Sequence, residues 1–337
     1  MGSKIVSHVS SSELSTIVEH TAELADHAVS NRTRALYTAE FAQFARWTEL
    51  HGLTPLPATP EIVCTYLGHM HATGRAVASA HLARAAIKWH HAHARLELDL
   101  TGADIRNVLK GYRRSMAGRQ INKAEPFTVA MWSRLREIAG TSAADARDLA
   151  LIGIGIVRAL RGPSELLGLD LTLARAPDAK GSIQINPSGA VITLASTKTS
   201  QIDGETLEIE EGPALESLRQ WVIKGQIAPG TPIWRTIRNG AVMTYRMKQR
   251  SMHDIIQRRA AQVLQADGMS TADAYANAQR YSTHSLRHGA LTSIGQNKAS
   301  LTEIMSLSRH SASSARIAMG YVKGENVGAK AIGKLGI

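Results

Sequence analysis

The sequence predicts a mainly α-helical, α+β protein of two domains, an all-helical N-terminal one and a larger second one that sets a small β-hairpin or sheet among helices. Three observations carry this. Apolar residues recur at spacings of three and four through most of residues 35–117, whereas only Ser182 to Leu194 alternates with a period of two. Between the helical region and the mixed one, Arg113 to Pro126 (RRSMAGRQINKAEP) is basic, poor in apolar residues and closed by a proline, as an interdomain linker is.

Residues 1–22, with Ser10-Ser11-Ser12 and few large apolar groups, read as a flexible tail. The helical domain is expected over 23–117 as four or five short helices, with periodic runs at Ala35 to Trp47, Ile62 to Met70 and His81 to Trp89. Gly52-Leu53-Thr54-Pro55 and Pro57-Ala58-Thr59-Pro60 punctuate it, and Thr59 is placed to cap a helix that begins at Pro60. Residues 118–126 form the expected linker, and 127–337 the second domain. Helices are expected there at Thr128 to Ala139 and Ala144 to Arg158, followed by strands Ser182 to Asn186 and Ala190 to Leu194 around the turn signal Pro187-Ser188-Gly189. Further helices are expected at Pro213 to Lys224, Tyr245 to Ala266 and Arg287 to Leu307, with a last one after Ala315. No internal repeat has a fixed period.

The 337 residues carry 39 Lys+Arg against 28 Asp+Glu, a formal charge of +11 that suits a polyanionic partner. With 44% hydrophobic residues the chain can build real cores, which argues against disorder or a fibrous repeat. The single cysteine, Cys64, excludes a disulfide framework and a multi-cysteine zinc site and suits a reducing compartment. Leu149 to Val157 is the longest apolar run, far short of the ~20 residues of a membrane span. The polar start, Met1 to His20, does not resemble a signal peptide. The expected location is cytoplasmic, associated with the nucleoid.

The segment richest in chemistry is Thr283-His284-Ser285-Leu286-Arg287-His288-Gly289-Ala290, followed by Glu303-Ile304-Met305, Arg309-His310-Ser311 and Met319-Gly320-Tyr321-Val322. On a helical turn His284 and Arg287 project to one side, where a guanidinium fork and a ring N–H can grip one phosphate. Alone, such a pair would by default be solvated or capping. Upstream, Arg158 and Arg161 interrupt the apolar run from Leu149 to Leu169; an arginine so placed must snorkel or meet an anion. Arg161 is the candidate second phosphate ligand, and an Arg161–Glu165 ion pair could coexist with that role. Gly153-x-Gly155 lacks the third glycine and the preceding strand of a dinucleotide site. Lys198, in Ser196-Thr197-Lys198-Thr199 at the exit of the second strand, would by default be a solvated edge residue. His90, His91 and His93 have neither a cysteine nor a suitably spaced carboxylate, so a basic helix surface, with Arg84 and Lys88, suits them better than a metal. Arg106, Lys110, Arg113 and Arg114 form a basic helical stripe usable against phosphates.

Arg161 followed by Ser-Glu-Leu, a hairpin lysine in Thr-Lys-Thr, His-Ser-Leu-Arg-His, a later His-Ser and a tyrosine near the C-terminus resemble, in order and rough spacing, the tyrosine recombinase (phage integrase) family. The resemblance runs from about residue 25 to the end. Glu303-Ile304-Met305, Met319-Gly320-Tyr321 and the two-domain length are most similar to its Cre-like members. The resemblance implies a helical DNA-binding domain and a catalytic domain closing on DNA as a C-shaped clamp. It implies strand cleavage by Tyr321 through a covalent 3′-phosphotyrosine, with Arg161, Arg287, His284 and His310 around the phosphate and Lys198 protonating the leaving 5′ oxygen. Glu165 and His288 would support them, and no ATP, metal or other cofactor would be needed. It also implies a specific, inverted-repeat target in double-stranded DNA, and a homotetramer on two such sites joined by the tail Lys323 to Ile337 through Ile332, Leu335 and Ile337.

Two spacings depart from the family. Arg161-Gly162-Pro163-Ser164-Glu165 has one residue more than the usual Arg-x-x-Glu, and His310 to Tyr321 is two residues longer than usual. Two alternatives therefore stand beside site-specific recombination: a catalytically silent DNA-binding protein of the same fold, and a related telomere resolvase or type IB topoisomerase. Tyr245, Tyr275 and Tyr281 compete with Tyr321 as nucleophile, with Tyr281 expected to pack beside His284.

Overall fold

In the computed structural model the described residues are 29–118, 124–176, 178–195 and 204–309, with Thr16 and His20. They fall into two compact units that divide between Ile121 and Asn122. Among the described residues no helix is long and apolar enough to cross a membrane.

The first unit is helical: α1 (Asn31–Leu50), α2 (Pro60–Ala72), α3 (Val77–His93) and α4 (Ala103–Ser115). Local chemistry sets the starts. The Ser30 hydroxyl accepts from the Thr33 N–H, and Thr59 accepts from Ile62 ahead of Pro60, whose missing N–H is no loss in a first helical turn. Phe44, Trp47, Tyr66, Leu67, Met70 and Ile87 make its core, to which α4 contributes Ile105, Leu109 and Tyr112. The remaining faces of α4 leave Arg106, Lys110, Arg113 and Arg114 exposed.

The three histidines of α3 need correcting. His91 is fully buried: its Nε2 accepts the Ala58 N–H at 2.8 Å, so the proton sits on Nδ1, 2.8 Å from the Ile87 carbonyl. It is a core hydrogen-bonding residue, because α3 turns this position inward onto the Pro57–Thr59 breaker. His90 stacks on Phe41 at 4.1 Å between centroids, and burial pushes its pKa down. His93, stacked on Trp89, is exposed.

The second unit begins with α5 (Val129–Ile138) and α6 (Ala143–Val157), capped by Thr128 and by a reciprocal Ser142–Asp145 box. A π-helical turn, Gly162–Leu166, leads to β1 (Leu169–Leu171), β2 (Gly181–Asn186), β3 (Gly189–Leu194) and β4 (Glu205–Glu210). These form one sheet in the order β1-β2-β3-β4, with β1 parallel to β2 and the other pairs antiparallel. Then follow α7 (Pro213–Lys224), the hairpin β5 (Arg235–Arg238) and β6 (Ala241–Arg246), and helices α8 (Gln249–Ala266), α9 (Thr271–Ala278), α10 (Ser285–Gln296) and α11 (Leu301–Ser308). The core runs from α6, through Leu151, Ile152 and Ile154, to Trp221 of α7, Trp234 and the inner face of the sheet.

Two expected helices differ from those found. Tyr245 lies in β6, not in a helix, because Asn239 and Gly240 take positive φ values of 48° and 78° and close a two-residue hairpin turn between the paired Arg238 and Ala241. The expected helix from Arg287 to Leu307 is two helices. Lys298 turns left-handed at φ 60°, and Ser300 starts α11 with a capping box to Glu303. Strands β1 and β4 and the β5–β6 hairpin add to the single hairpin expected, and the helix expected after Ala315 lies outside the described residues. Gly153 and Gly155 serve helix packing: a Cβ at either would fall 2.7 Å from the Trp132 ring and 2.6 Å from Leu286, respectively.

Candidate functional site

Arg161 sits where α6 has ended. Ala159 turns left-handed at φ 45°, and the Leu160 N–H reaches back to the Gly155 carbonyl at 3.0 Å, closing the helix. The chain then enters the π-turn, in which the Arg161 carbonyl accepts from both Glu165 and Leu166 N–H. This wider turn absorbs the extra residue of Arg161-Gly-Pro-Ser-Glu165. Glu165 consequently still folds back on Arg161: its Oε2 accepts the Arg161 backbone N–H at 2.9 Å and its Oε1 pairs with the guanidinium. The Glu165 side chain is 2% exposed, that of Arg161 17%. Burial alone would raise the Glu165 pKa. The Arg161 backbone N–H, the Arg309 charge and the guanidinium hydrogen bonds outweigh it and hold the carboxyl below its ordinary value. The turn packs on the His284 segment, since a Cβ at Gly162 would lie 3.1 Å from Thr283.

Arg287, on the first turn of α10, is buried and reaches the ends of two other helices. Its Nη1 donates to the Ala159 carbonyl at 2.8 Å and its Nη2 to the carbonyl of Ser308, the last residue of α11. A cation at two helix C-termini is well placed electrostatically. Gly289 lets α10 come this close. A Cβ there would fall 1.8 Å from the Phe127 carbonyl oxygen, and the Phe127 N–H is bonded to the Ser285 carbonyl at 3.0 Å. His288 fastens the same approach, its Nδ1 lying 2.7 Å from the Ala124 carbonyl, and the Glu125 N–H donates to the Arg280 carbonyl. The last residues of the expected linker, Ala124 to Pro126, are thus bonded into the second unit. His284 is exposed at the N-cap of α10, one turn before the buried Arg287.

The structure therefore gathers Arg161, Glu165 and Arg287, with His284 beside them in the chain. Lys198, His310 and Tyr321 lie outside the described residues. Tyr281 is buried. Burial raises its phenol pKa, its hydroxyl contacts the Met131 sulfur at 3.6 Å, and it packs edge-on against Phe127. Tyr245 and Tyr275 are exposed. Arg158 is half-buried on a cavity of about 800 Å³ between the end of α6, β4 and the start of α7, among Glu208, Glu210 and Glu211. Arg147 and Arg259, both buried, bond the fully buried Asp148, and the exposed Arg258 bonds it from the surface.

Arg309 carries no role in the sequence motifs. Its Nη2 donates to Glu165 Oε2 at 2.5 Å and its Nη1 to Glu205 Oε2 at 3.0 Å. The visible signal is an arginine directly before His310 where a helix ends without glycine. Among the DNA-facing candidates, Arg84 donates to the Leu100 carbonyl at 3.3 Å, while Lys88, Arg106, Lys110, Arg113 and Arg114 are exposed.

No protein-family profile matches the chain. An integrase/recombinase XerD homolog of Selenomonas ruminantium is 26% identical over 289 residues, 83% of this chain and 79% of that protein. Among solved structures, the XerH site-specific recombinase bound to a palindromic difH substrate aligns with a TM-score of 0.57 at 15% identity, over 86% of this chain and 76% of that one. The Tn1549 transposon integrase in complex with transposon right-end DNA aligns at 0.56 and 14% identity, over 92% and 96%. A lambda integrase dimer bound to a core site aligns at 0.51 and 14%, over 93% and 95%. The mostly helical fold with its small sheets is that of these recombinases, and the sequence is similar to that of the XerD homolog.

Proposed function

We propose that the chain is a site-specific recombinase that cuts and rejoins double-stranded DNA through a covalent 3′-phosphotyrosine at Tyr321. The observation that carries this is the bond from Arg287 to the carbonyl of Ala159, two residues before an Arg161 already held by buried Glu165. Two guanidinium groups from distant parts of the chain are thereby fixed near one another before any substrate arrives.

In this reading His284 accepts the phenol proton as the Tyr321 oxygen attacks phosphorus, a Tyr–O–P bond forms and the bond to the 5′ oxygen breaks. Arg161 and Arg287 stabilise the charge that builds on the non-bridging oxygens, with His284 and His310 supporting them. Lys198 gives its proton to the leaving 5′ oxygen. A 5′ hydroxyl then attacks the phosphotyrosine, so the energy of the phosphodiester is retained and the strand is resealed. The basic stripe of α4, with Arg84 and Lys88, would track the DNA backbone. The target would be an inverted repeat, as the palindromic substrate of the XerH relative suggests, and a homotetramer on two sites would use the tail from Lys323 to Ile337 as its link. Cre-like character rests on the Glu303-Ile304-Met305 and Met319-Gly320-Tyr321 strings. Of the spacings that favoured a silent protein, the one at Glu165 loses its force, because the π-turn restores the contact.

The test is Tyr321→Phe on a nicked duplex carrying an inverted repeat taken from the DNA that flanks the gene. Wild-type protein should form a covalent adduct, and the variant should bind the same duplex without forming one. Adducts surviving in the variant would move the nucleophile to another tyrosine.

A further inference from the structure

We propose that Arg309 is a positioning residue that aligns Arg161 with Arg287, by joining the carboxylate that holds the first to the helix end that holds the second. The proposal rests on the recombinase reading above and deepens its site. Glu165 Oε2 takes both the Arg161 backbone N–H, at 2.9 Å, and Arg309 Nη2, at 2.5 Å. The residue before Arg309 is Ser308, whose carbonyl receives Arg287. A continuous path thus runs from Arg161 through Glu165, Arg309 and Ser308 to Arg287. The second arm of the Arg309 fork reaches Glu205, the first residue of β4, which pairs in register with Leu194. In the sequence, Leu194 and Glu205 flank the segment that contains Lys198.

Three features point to alignment rather than surface decoration. The Arg309 side chain is 8% exposed, so its ion pairs act in low dielectric and are little screened. Its two terminal nitrogens engage carboxylates from two different segments, a geometry for the planar fork that a lysine ammonium cannot reproduce. It does this from a left-handed backbone, φ 52°, at the end of α11, a conformation uncommon for residues other than glycine. Neither Glu165 nor Glu205 lies near Arg309 in sequence, so the bridge exists only in the folded chain.

The experiment compares wild type, Arg309→Lys and Glu205→Gln on the nicked duplex described above. One substrate has an ordinary phosphate at the scissile position and the other a methylphosphonate. The methyl group removes one negatively charged non-bridging oxygen, and with it the need for well-aligned arginines. Arg309→Lys should keep DNA affinity and the native circular-dichroism spectrum, yet slow adduct formation on the phosphate by on the order of 10²-fold. On the methylphosphonate it should be slowed far less. Glu205→Gln, which leaves the Glu165 contact in place, should show the same pattern more weakly. Equal slowing on both substrates, or no slowing on the phosphate, would overturn the proposal while leaving the recombinase reading intact. Wild-type protein that forms no adduct at all would overturn the reading and the proposal with it.

Discussion

The α4 stripe of the first unit and the candidate site of the second use cationic side chains in opposite ways. On α4 of the first, Arg106, Lys110, Arg113 and Arg114 stand exposed. In the second, Arg161, Arg287 and Arg309 are sunk among carboxylates and carbonyls, each with a named partner. A solvated side chain follows a phosphate wherever it finds one and contributes affinity that salt erodes. A guanidinium clamped in low dielectric has met its ordering cost at folding and presents its charge at one place, which is what stabilising a transition state requires. Charge sufficient for binding can thus be spread along a helix, whereas charge for chemistry needs a scaffold.

The strongest way to break this comparison is Arg287→Lys, which keeps the charge but loses the fork spanning the Ala159 and Ser308 carbonyls. Covalent adduct formation should fall by on the order of 10²–10³-fold, with duplex affinity preserved. An unchanged rate in quench-flow would make Arg287 a structural residue only. Next in size is the triple change Arg106→Gln, Lys110→Gln and Arg113→Gln. The slope of log affinity against log salt should become shallower by about 0.9 for each phosphate that the protein no longer neutralises, while thermal unfolding stays put. An unaltered slope in a fluorescence-anisotropy titration would remove the stripe from the DNA interface.

The smallest effect concerns acid. Because Glu165 is held below its ordinary pKa in the folded state, its contribution is complete above the unfolded carboxyl range and is lost as pH falls through the lowered folded value. Wild type should therefore exceed Glu165→Gln in urea stability near neutrality, and the gap should close on acidification. A gap independent of pH would mean that the carboxylate charge is not what holds the turn.

Much of this is legible in the sequence where local chemistry suffices. Pro213 to Lys224 is found as expected, because a proline start and an amphipathic run need no neighbour. The β2–β3 pair shows in its alternation. The β5–β6 hairpin is not among the expected elements, because the helical spacing taken to start at Tyr245 masks the strand that follows Asn239-Gly240. The site is legible as residue types, Arg161, His284 and Arg287 among them, but its bracing is not. His91 reads as one of three surface histidines until the Pro57–Thr59 breaker is seen folded over it. The Glu165 spacing reads as a defect until the π-turn is seen.

What the sequence alone determined is the helical character and the order of the recombinase-like motifs, since periodicity, capping and motif spacing are properties of neighbours along the chain. Only the tertiary structure decided which cations are solvated and which are fixed. Arg309 and Glu205, like Arg287 and Ala159, are far apart in sequence, and whether a guanidinium is solvated or clamped depends on the burial and the carbonyl ends that only the packed helices supply.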